Sequence, residues 1–283
     1  MGGIIWLASY PKSGNTWTRT FLLNLFQNPD KPIDINLLKS STVGDANVSS
    51  YERAAGKPIT EISGRELAKL TPKVHELMAR SRSDSVFVKT HTAFGNVYGT
   101  PLITMKYTAG AVYMVRNPLD VVISLADHFG LDLDGGIRLL NNPKGKTGSG
   151  AKVQSGKADL IEQLLGSWSS HVTSWLPFSQ RHFHLMRYED MLDKPEETFG
   201  GLARFLGLNP PEERLARAIE FSSFKNVQKQ EEEKGFNEQS KKNDRFFRVG
   251  KSGQWKDVLT DKQVDKIVKY HYDTMKQFGY LPK

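Results

Sequence analysis

Three short stretches hold residue types that could do chemistry together. Lys12, Ser13, Gly14, Asn15 and Thr16 form a compact turn carrying a cation, two hydroxyls and a glycine. Lys89 and His91 put a second cation beside the side chain that titrates near neutral pH. Arg116 is followed eight residues later by Ser124, a little over two helical turns, so both could face one phosphate. Cations at a turn, a strand end and a helix start are the groups that could hold a phosphate-like anion. Each stretch also has a plainer reading: a turn with an incidental lysine, a hydrogen-bonded histidine at a strand end, and an arginine capping a sheet.

The elements that would position them are legible. Ile4 to Ala8 is an unbroken apolar run, which predicts a strand buried on both faces. From Thr16 the apolar residues fall at Trp17, Phe21, Leu22, Leu25 and Phe26, one face of a helix. The turn thus joins a strand to a helix N-terminus, whose N–H groups and dipole favour an anion. Set against G-x-x-x-x-G-K-[ST], the window Ser9 to Thr16 keeps Gly14 and Thr16, but Ser9 replaces the first glycine and Asn15 the lysine. Lys12 lies three positions earlier, so the turn suits a phosphate-like group rather than the β/γ pair of a nucleoside triphosphate.

Further along, Pro29 to Gly64 reads as polar and irregular. Arg65 to Leu70 reads as a short helical piece, with Thr71 and Pro72 starting a second helix to about Arg82. Val86 to Lys89 and Gly110 to Arg116 read as strands, and Asn117, Pro118 and Asp120 as the start of a helix running to about Phe129. Asn141 to Lys157 reads as a flexible Gly-, Ser- and Lys-rich loop. Leu160 to Leu176 is expected to be helical, with Trp168 and Trp175 in the core and His171 a packed or capping residue. A strand over Phe183 to Met186, a helix over Glu196 to Leu206, an exposed stretch over Val227 to Asp244 and a last helix from about Asp261 to Phe278 complete the pattern. Strands alternating with helices predict an α/β fold: a single doubly wound domain over residues 1–283, its central parallel sheet flanked by helices. In such a sheet ligands bind outside the carboxyl ends of the strands, where the three stretches and Tyr188 are expected to fall.

Composition bounds the function classes. The chain has no cysteine, so disulfides and thiolate metal sites are excluded. No apolar run approaches a membrane span, and no basic segment with an apolar core precedes the first strand, so neither a span nor a signal peptide is expected. A net charge of +8 suits a polyanionic small ligand, nucleic acid or an acidic surface, and does not choose among them.

The motifs together resemble those of the cytosolic-type sulfotransferases, a P-loop-like family that uses 3′-phosphoadenosine 5′-phosphosulfate (PAPS) and releases 3′-phosphoadenosine 5′-phosphate (PAP). YPKSGNTW resembles the family's 5′-phosphosulfate loop, and YMVRNPLDVVISLADHF the segment that holds the 3′-phosphate. FVKTH resembles the strand ending in the catalytic histidine, RYEDM supplies Tyr188, SSFKNV supplies Ser222 and Phe224 around the adenine, and RVGKSGQWKD resembles the element closing over the 3′-phosphate. The resemblance implies His91 as base, Lys12 and Lys89 as catalytic cations, and nucleotide contacts from Lys12, Ser13, Gly14, Asn15, Thr16, Trp17, Arg116, Ser124, Tyr188, Ser222, Phe224, Arg248, Val249 and Gly250. Val249 stands where the family has lysine, and Asn15 where threonine is commoner, which puts one phosphate contact in doubt. Phe94, Tyr98, His128 and Phe129 are candidates to line the site of a small-molecule or glycan acceptor. No metal is required, because lysines do the neutralising that Mg²⁺ does for ATP. No nucleic-acid partner is expected, and the protein is expected to be cytoplasmic. Two rivals stay open. A P-loop kinase would use ATP and Mg²⁺ and a lysine at position 15; a basic nucleic-acid-binding protein would show a cationic face with aromatic platforms.

Overall fold

The computed structural model describes residues 2–148, 152–153, 155–156, 158–180, 182–239 and 242–282. Nine strands occur among them: β1 Ile4–Ser9, β2 Val43–Gly44, β3 Val86–Thr90, β4 Asn96–Val97, β5 Thr100–Pro101, β6 Thr108–Val115, β7 Lys146–Thr147, β8 Gln163–Leu164 and β9 Phe183–Arg187. Five of them form the central parallel sheet in the order β2-β3-β1-β6-β9. The apolar run of β1 is buried at every position but one, as strands covered on both faces are. Its register on β3 pairs Ile4 with Val86 and Ala8 with Thr90, so β1 runs one residue past the end of β3. β4 and β5 form a hairpin closed by Tyr98 and Gly99, both at positive φ, the backbone that a two-residue turn requires. β7 and β8 form a second small antiparallel pair.

Contacts divide the chain into two compact units. The first comprises Met1–Tyr10, Thr42–Tyr113 and Asn141–Phe183. Trp6, Tyr113, Trp168 and Trp175 are fully buried in its core. Trp6 donates its indole N–H to Thr108 Oγ1 at 2.9 Å and meets the ring of His75 edge-on at 4.9 Å, so the polar edge of a large core residue is satisfied. The second unit comprises Pro11–Ser41, Met114–Leu140 and His184–Lys283. There Phe21 stacks on Phe199 at 4.3 Å, and Leu23, Ile33, Ile35, Leu38, Val227, Phe236 and Phe247 form an apolar cluster. Buried Arg19 is neutralised by Glu238 in a two-pronged ion pair, one arm 2.9 Å long.

The structure corrects four sequence expectations. Gly64–Ala79 is one helix, not two, with Pro72 inside it. Its start is a capping box, Ser63 Oγ accepting from the Glu66 N–H while the Glu66 carboxylate accepts from the Ser63 N–H. Leu160 to Leu176 is not one helix. β8 occupies Gln163–Leu164, Gly166 turns the chain at φ 65°, and the helix begins only at Trp168 with Ser167 as its cap. Pro29 to Gly64 is largely ordered, with helices at Leu38–Ser41 and Val48–Ala55 whose anchors Leu38 and Tyr51 are buried. Within Val227 to Asp244, the helix Phe224–Lys234 buries Val227 and Glu231. Glu231 is buried because its carboxylate accepts the N–H groups of Phe246 and Phe247. In the predicted loop Asn141 to Lys157, Lys146–Thr147 is β7; residues 149–151, 154 and 157 lie outside the described residues.

Candidate functional site

In the second unit, the turn after β1 leads into the helix Asn15–Gln27 through Gly14, its N-cap, at φ 104°. Lys12 is held at φ 68°, a conformation that costs a non-glycine residue energy and is kept only where surroundings impose it. A Cβ on Gly14 would sit 3.1 Å from the Tyr188 ring, so glycine is needed for backbone and space alike. The helix has no acidic residue in its first turn to satisfy its leading N–H groups. Three side-chain groups here are buried without a hydrogen-bond partner among the described residues: Ser13 Oγ, the Trp17 indole N–H and Thr18 Oγ1. Three such groups in one turn are expensive unless a ligand meets them. The Lys12 ammonium lies 3.9 Å from the centre of the Phe246 ring.

Arg116 follows β6. Its guanidinium donates to the carbonyls of Lys12 at 3.1 Å and Lys251 at 3.2 Å, and lies 4.1 Å from the Tyr188 ring centre. It thereby joins the turn to the Arg248–Trp255 segment. Burial pushes the Tyr188 phenol above its ordinary pKa, keeping it neutral. Asn117 caps the helix Pro118–Phe129 by accepting from the Leu119 N–H, and half-buried Ser124 lies on that helix. Buried Asp120 accepts the N–H groups of Gly253 at 2.7 Å and Trp255 at 3.1 Å, which pins the same segment. Gly250 sits at φ 62°, and a Cβ there would be 2.2 Å from the Phe224 ring. Ser222 is buried and donates to the Ile219 carbonyl; Arg248 pairs with Asp127 at 3.4 Å; the Val249 side chain is exposed. His128 and Phe129 meet edge to face at 5.0 Å.

In the first unit, Lys89 and His91 stand at the carboxyl end of β3. His91 Nδ1 is 2.8 Å from the Ser9 carbonyl, which can only accept, so Nδ1 carries a proton, and the Ser9 hydroxyl lies 3.3 Å from the same nitrogen. Its own carbonyl accepts from His171 Nε2 at 3.0 Å, which fixes that ring's tautomer; His171 Nδ1 then accepts from the Tyr113 hydroxyl at 2.8 Å. Burial pushes His171 down to about 4, so this brace stays neutral. Phe94 packs edge-on against Trp175 at 5.7 Å, and its N–H donates to Ser174 Oγ. Tyr98 is exposed at the tip of the β4–β5 hairpin, with Arg65 over its ring.

Sequence reasoning missed several residues here. Asp120 was legible only as a first-turn acid, and His171 only as a packed residue. Phe246 carries no motif signal, since a lone aromatic in a polar stretch is uninformative. The signal that could have flagged Asp120 is the pair Gly250 and Gly253, whose positive-φ loop needs an anchor.

A lysine-bearing turn opening a helix, with an arginine from a later strand end behind it, defines an anion-binding α/β protein of P-loop-like type. The particular family follows from comparison: the model of the sulfotransferase domain matches residues 4–279, and the chain belongs to that family of transferases. It is 25% identical to sulfotransferase 1A1 of Canis lupus familiaris over 266 residues, 92% of this chain and 79% of that protein. It is 30% identical to sulfotransferase 2A2 of Mus musculus over 184 residues, 62% of this chain and 60% of that protein. Two solved structures share the fold: mouse sulfotransferase SULT7A1 complexed with PAP, at TM-score 0.61 and 19% identity over 97% of this chain and 85% of that one, and retinol dehydratase in a complex with retinol and PAP, at 0.63 and 19% over 96% and 81%.

Proposed function

We propose that residues 1–283 act as one transferase domain that moves a sulfuryl group from PAPS to a hydroxyl or amine of a small-molecule or glycan acceptor. The observation that carries the reading is the set of buried, unpartnered polar groups at Ser13, Trp17 and Thr18, around a turn whose cation and helix N-terminus suit phosphate oxygens. The relatives lend support: two proteins of the same fold were solved with PAP, one of them with retinol as well.

The residues present fit such a nucleotide. The amides and hydroxyls of Ser13 to Thr16, with Lys12 and the Trp17 N–H, would hold the 5′ end. Arg116, Ser124, Arg248 and the backbone of Val249 and Gly250 would hold the 3′-phosphate, with Tyr188, Ser222 and Phe224 around the nucleoside. When bound, PAPS supplies the activated sulfuryl group. His91 Nε2 takes the acceptor's proton, and the Nδ1–H bond to the Ser9 carbonyl steadies the resulting imidazolium. Lys12 and Lys89 meet charge building on the transferred group and the leaving oxygen. The protein is read as cytoplasmic, with no nucleic-acid partner; among the described residues no helix is long and apolar enough to cross a membrane.

His91→Ala is expected to lower turnover with PAPS and a hydroxyl acceptor by roughly 10²–10⁴-fold, with PAP affinity, read by calorimetry, preserved. Near-normal turnover in that variant would remove His91 from the mechanism.

A further inference from the structure

At the end of β3 lies a buried polar knot with no place in the mechanism so far. Asp45, 6% exposed, gathers several donors, the Ala46 N–H among them. Its Oδ2 accepts from Thr90 Oγ1 at 2.6 Å and from Thr92 Oγ1 at 3.2 Å. Its Oδ1 accepts from Gln163 Nε2 at 2.8 Å, and that amide reaches Thr92 Oγ1 at 3.1 Å as well. The Thr92 N–H donates to Thr90 Oγ1 at 2.9 Å, and the Asp45 N–H donates to the Lys89 carbonyl at 3.2 Å. Trp175 closes the arrangement by donating to the Thr92 carbonyl at 3.1 Å.

The two threonines flank His91. One carboxylate oxygen gathers both hydroxyls, and His91 between them turns to the Ser9 carbonyl. We propose that Asp45, with Thr92 and Gln163, is the positioning group of the catalytic strand end, setting the backbone from Lys89 to Thr92 so that His91 presents Nε2 as the base. The inference rests on the reading of His91 as that base. Asp45 acts through the backbone that carries His91, so the effect tested is on orientation; its charge also reaches Lys89.

Chemistry explains why a carboxylate stands here. Two hydroxyls and a side-chain amide converge on one group, and only an acceptor without protons can serve them all. An isosteric amide would turn an N–H₂ toward a donor and break part of the knot. Burial pushes the Asp45 carboxyl up to about 6, the Thr90 and Thr92 hydroxyls and Lys89 acting the other way, which marks it as a costly charge retained in the interior.

The test uses the full-length chain with PAP bound. Side-chain ¹⁵N spectra of labelled histidine report the His91 tautomer, the resonance being assigned by its loss in His91→Gln. In wild type the Nδ1–H form should dominate. Asp45→Asn should give a mixture of tautomers and lower kcat by about 10- to 100-fold, as misplacement of a reacting group does, with PAP affinity and the acceptor KM near wild type. Thr92→Val, which removes a hydroxyl without changing shape, should act in the same direction if Asp45→Asn fails to fold. The double exchange Asp45→Asn with Gln163→Glu returns a carboxylate to the knot and should recover part of the kcat. Wild-type kcat and tautomer in both single variants, alongside an inactive His91→Ala, would overturn the positioning role while leaving the base in place. An active His91→Ala would instead remove the base, whatever the tautomer does in Asp45→Asn.

Discussion

Gly250 cannot carry a side chain without moving its neighbour. Its φ of 62° is strained for any other residue, and the Phe224 ring fills the space a Cβ would need. Gly250→Ala should therefore cost roughly 1–3 kcal/mol in strain and displacement. The loss should appear as a lower denaturation midpoint and as weaker PAP binding. Unchanged affinity would mean that the Phe224–Gly250 contact is not part of the nucleotide site. In the sequence this position stands out through its resemblance to the family's closing element, since a glycine in a basic loop is by residue type alone an ordinary turn residue. Neither residue type nor resemblance makes Asp45 legible. An aspartate between Gly44 and Ala46 in a polar stretch reads as a turn, and only the folded chain brings Thr90, Thr92 and Gln163 onto it.

At the scale of elements, the strand, turn and helix from Ile4 to Gln27 follow directly from local pattern: an apolar run, a glycine at the cap and a helical stripe. The same holds for Asn117 and Pro118 at the next helix start. Local pattern failed where a competing signal was misjudged. Thr71-Pro72 read as a start, yet the helix entered at Ser63 runs through, and Thr71 Oγ1 donates back to the Leu67 carbonyl within the turn before the proline. Leu164 and Leu165 fit a helical stripe, yet Leu164 lies in β8, because Gly166 breaks the chain ahead of Trp168. The Arg248–Trp255 segment depends on a tie that no local pattern shows, the Asp120 carboxylate. Asp120→Ala leaves the N–H groups of Gly253 and Trp255 without that acceptor. Limited proteolysis should then cut the segment faster than in wild type, and PAP should protect it less. Equal cleavage rates in the two proteins would show that the tie is dispensable.

At the scale of the whole molecule, the interior holds several neutral histidines. His75, His171 and His271 are each pushed down to about 4 by burial. An unfolded chain protonates histidine near pH 6.5, so between 6.5 and 4 it takes up protons that the folded chain refuses. The folded state keeps its full advantage above pH 6.5 and loses it toward pH 4, by roughly 3 kcal/mol for a fully buried histidine. Asp45 has the opposite sign: its raised carboxyl makes the folded state less stable as pH rises from 3.8 to about 6. Three histidines outweigh one aspartate, so the net expectation is acid lability. Urea unfolding should show stability falling from pH 7 to pH 5, and His75→Gln should flatten that fall. An equal fall in the variant would contradict a neutral His75.

The nucleotide is the centre of the account, and melting temperature in the presence of nucleotides tests it most directly. PAP carries both anions that the Lys12 turn and Arg116 would meet. At a hundredfold excess over its dissociation constant it should stabilise the native state by about 2.7 kcal/mol. For a chain of 283 residues this is a rise on the order of 5–10 °C. AMP, without the 3′-phosphate, should raise melting much less, and Arg116→Ala should narrow the gap between the two. EDTA should leave the PAP shift in place. A large rise with ATP that needs Mg²⁺, and none with PAP, would contradict the sulfuryl-transfer reading.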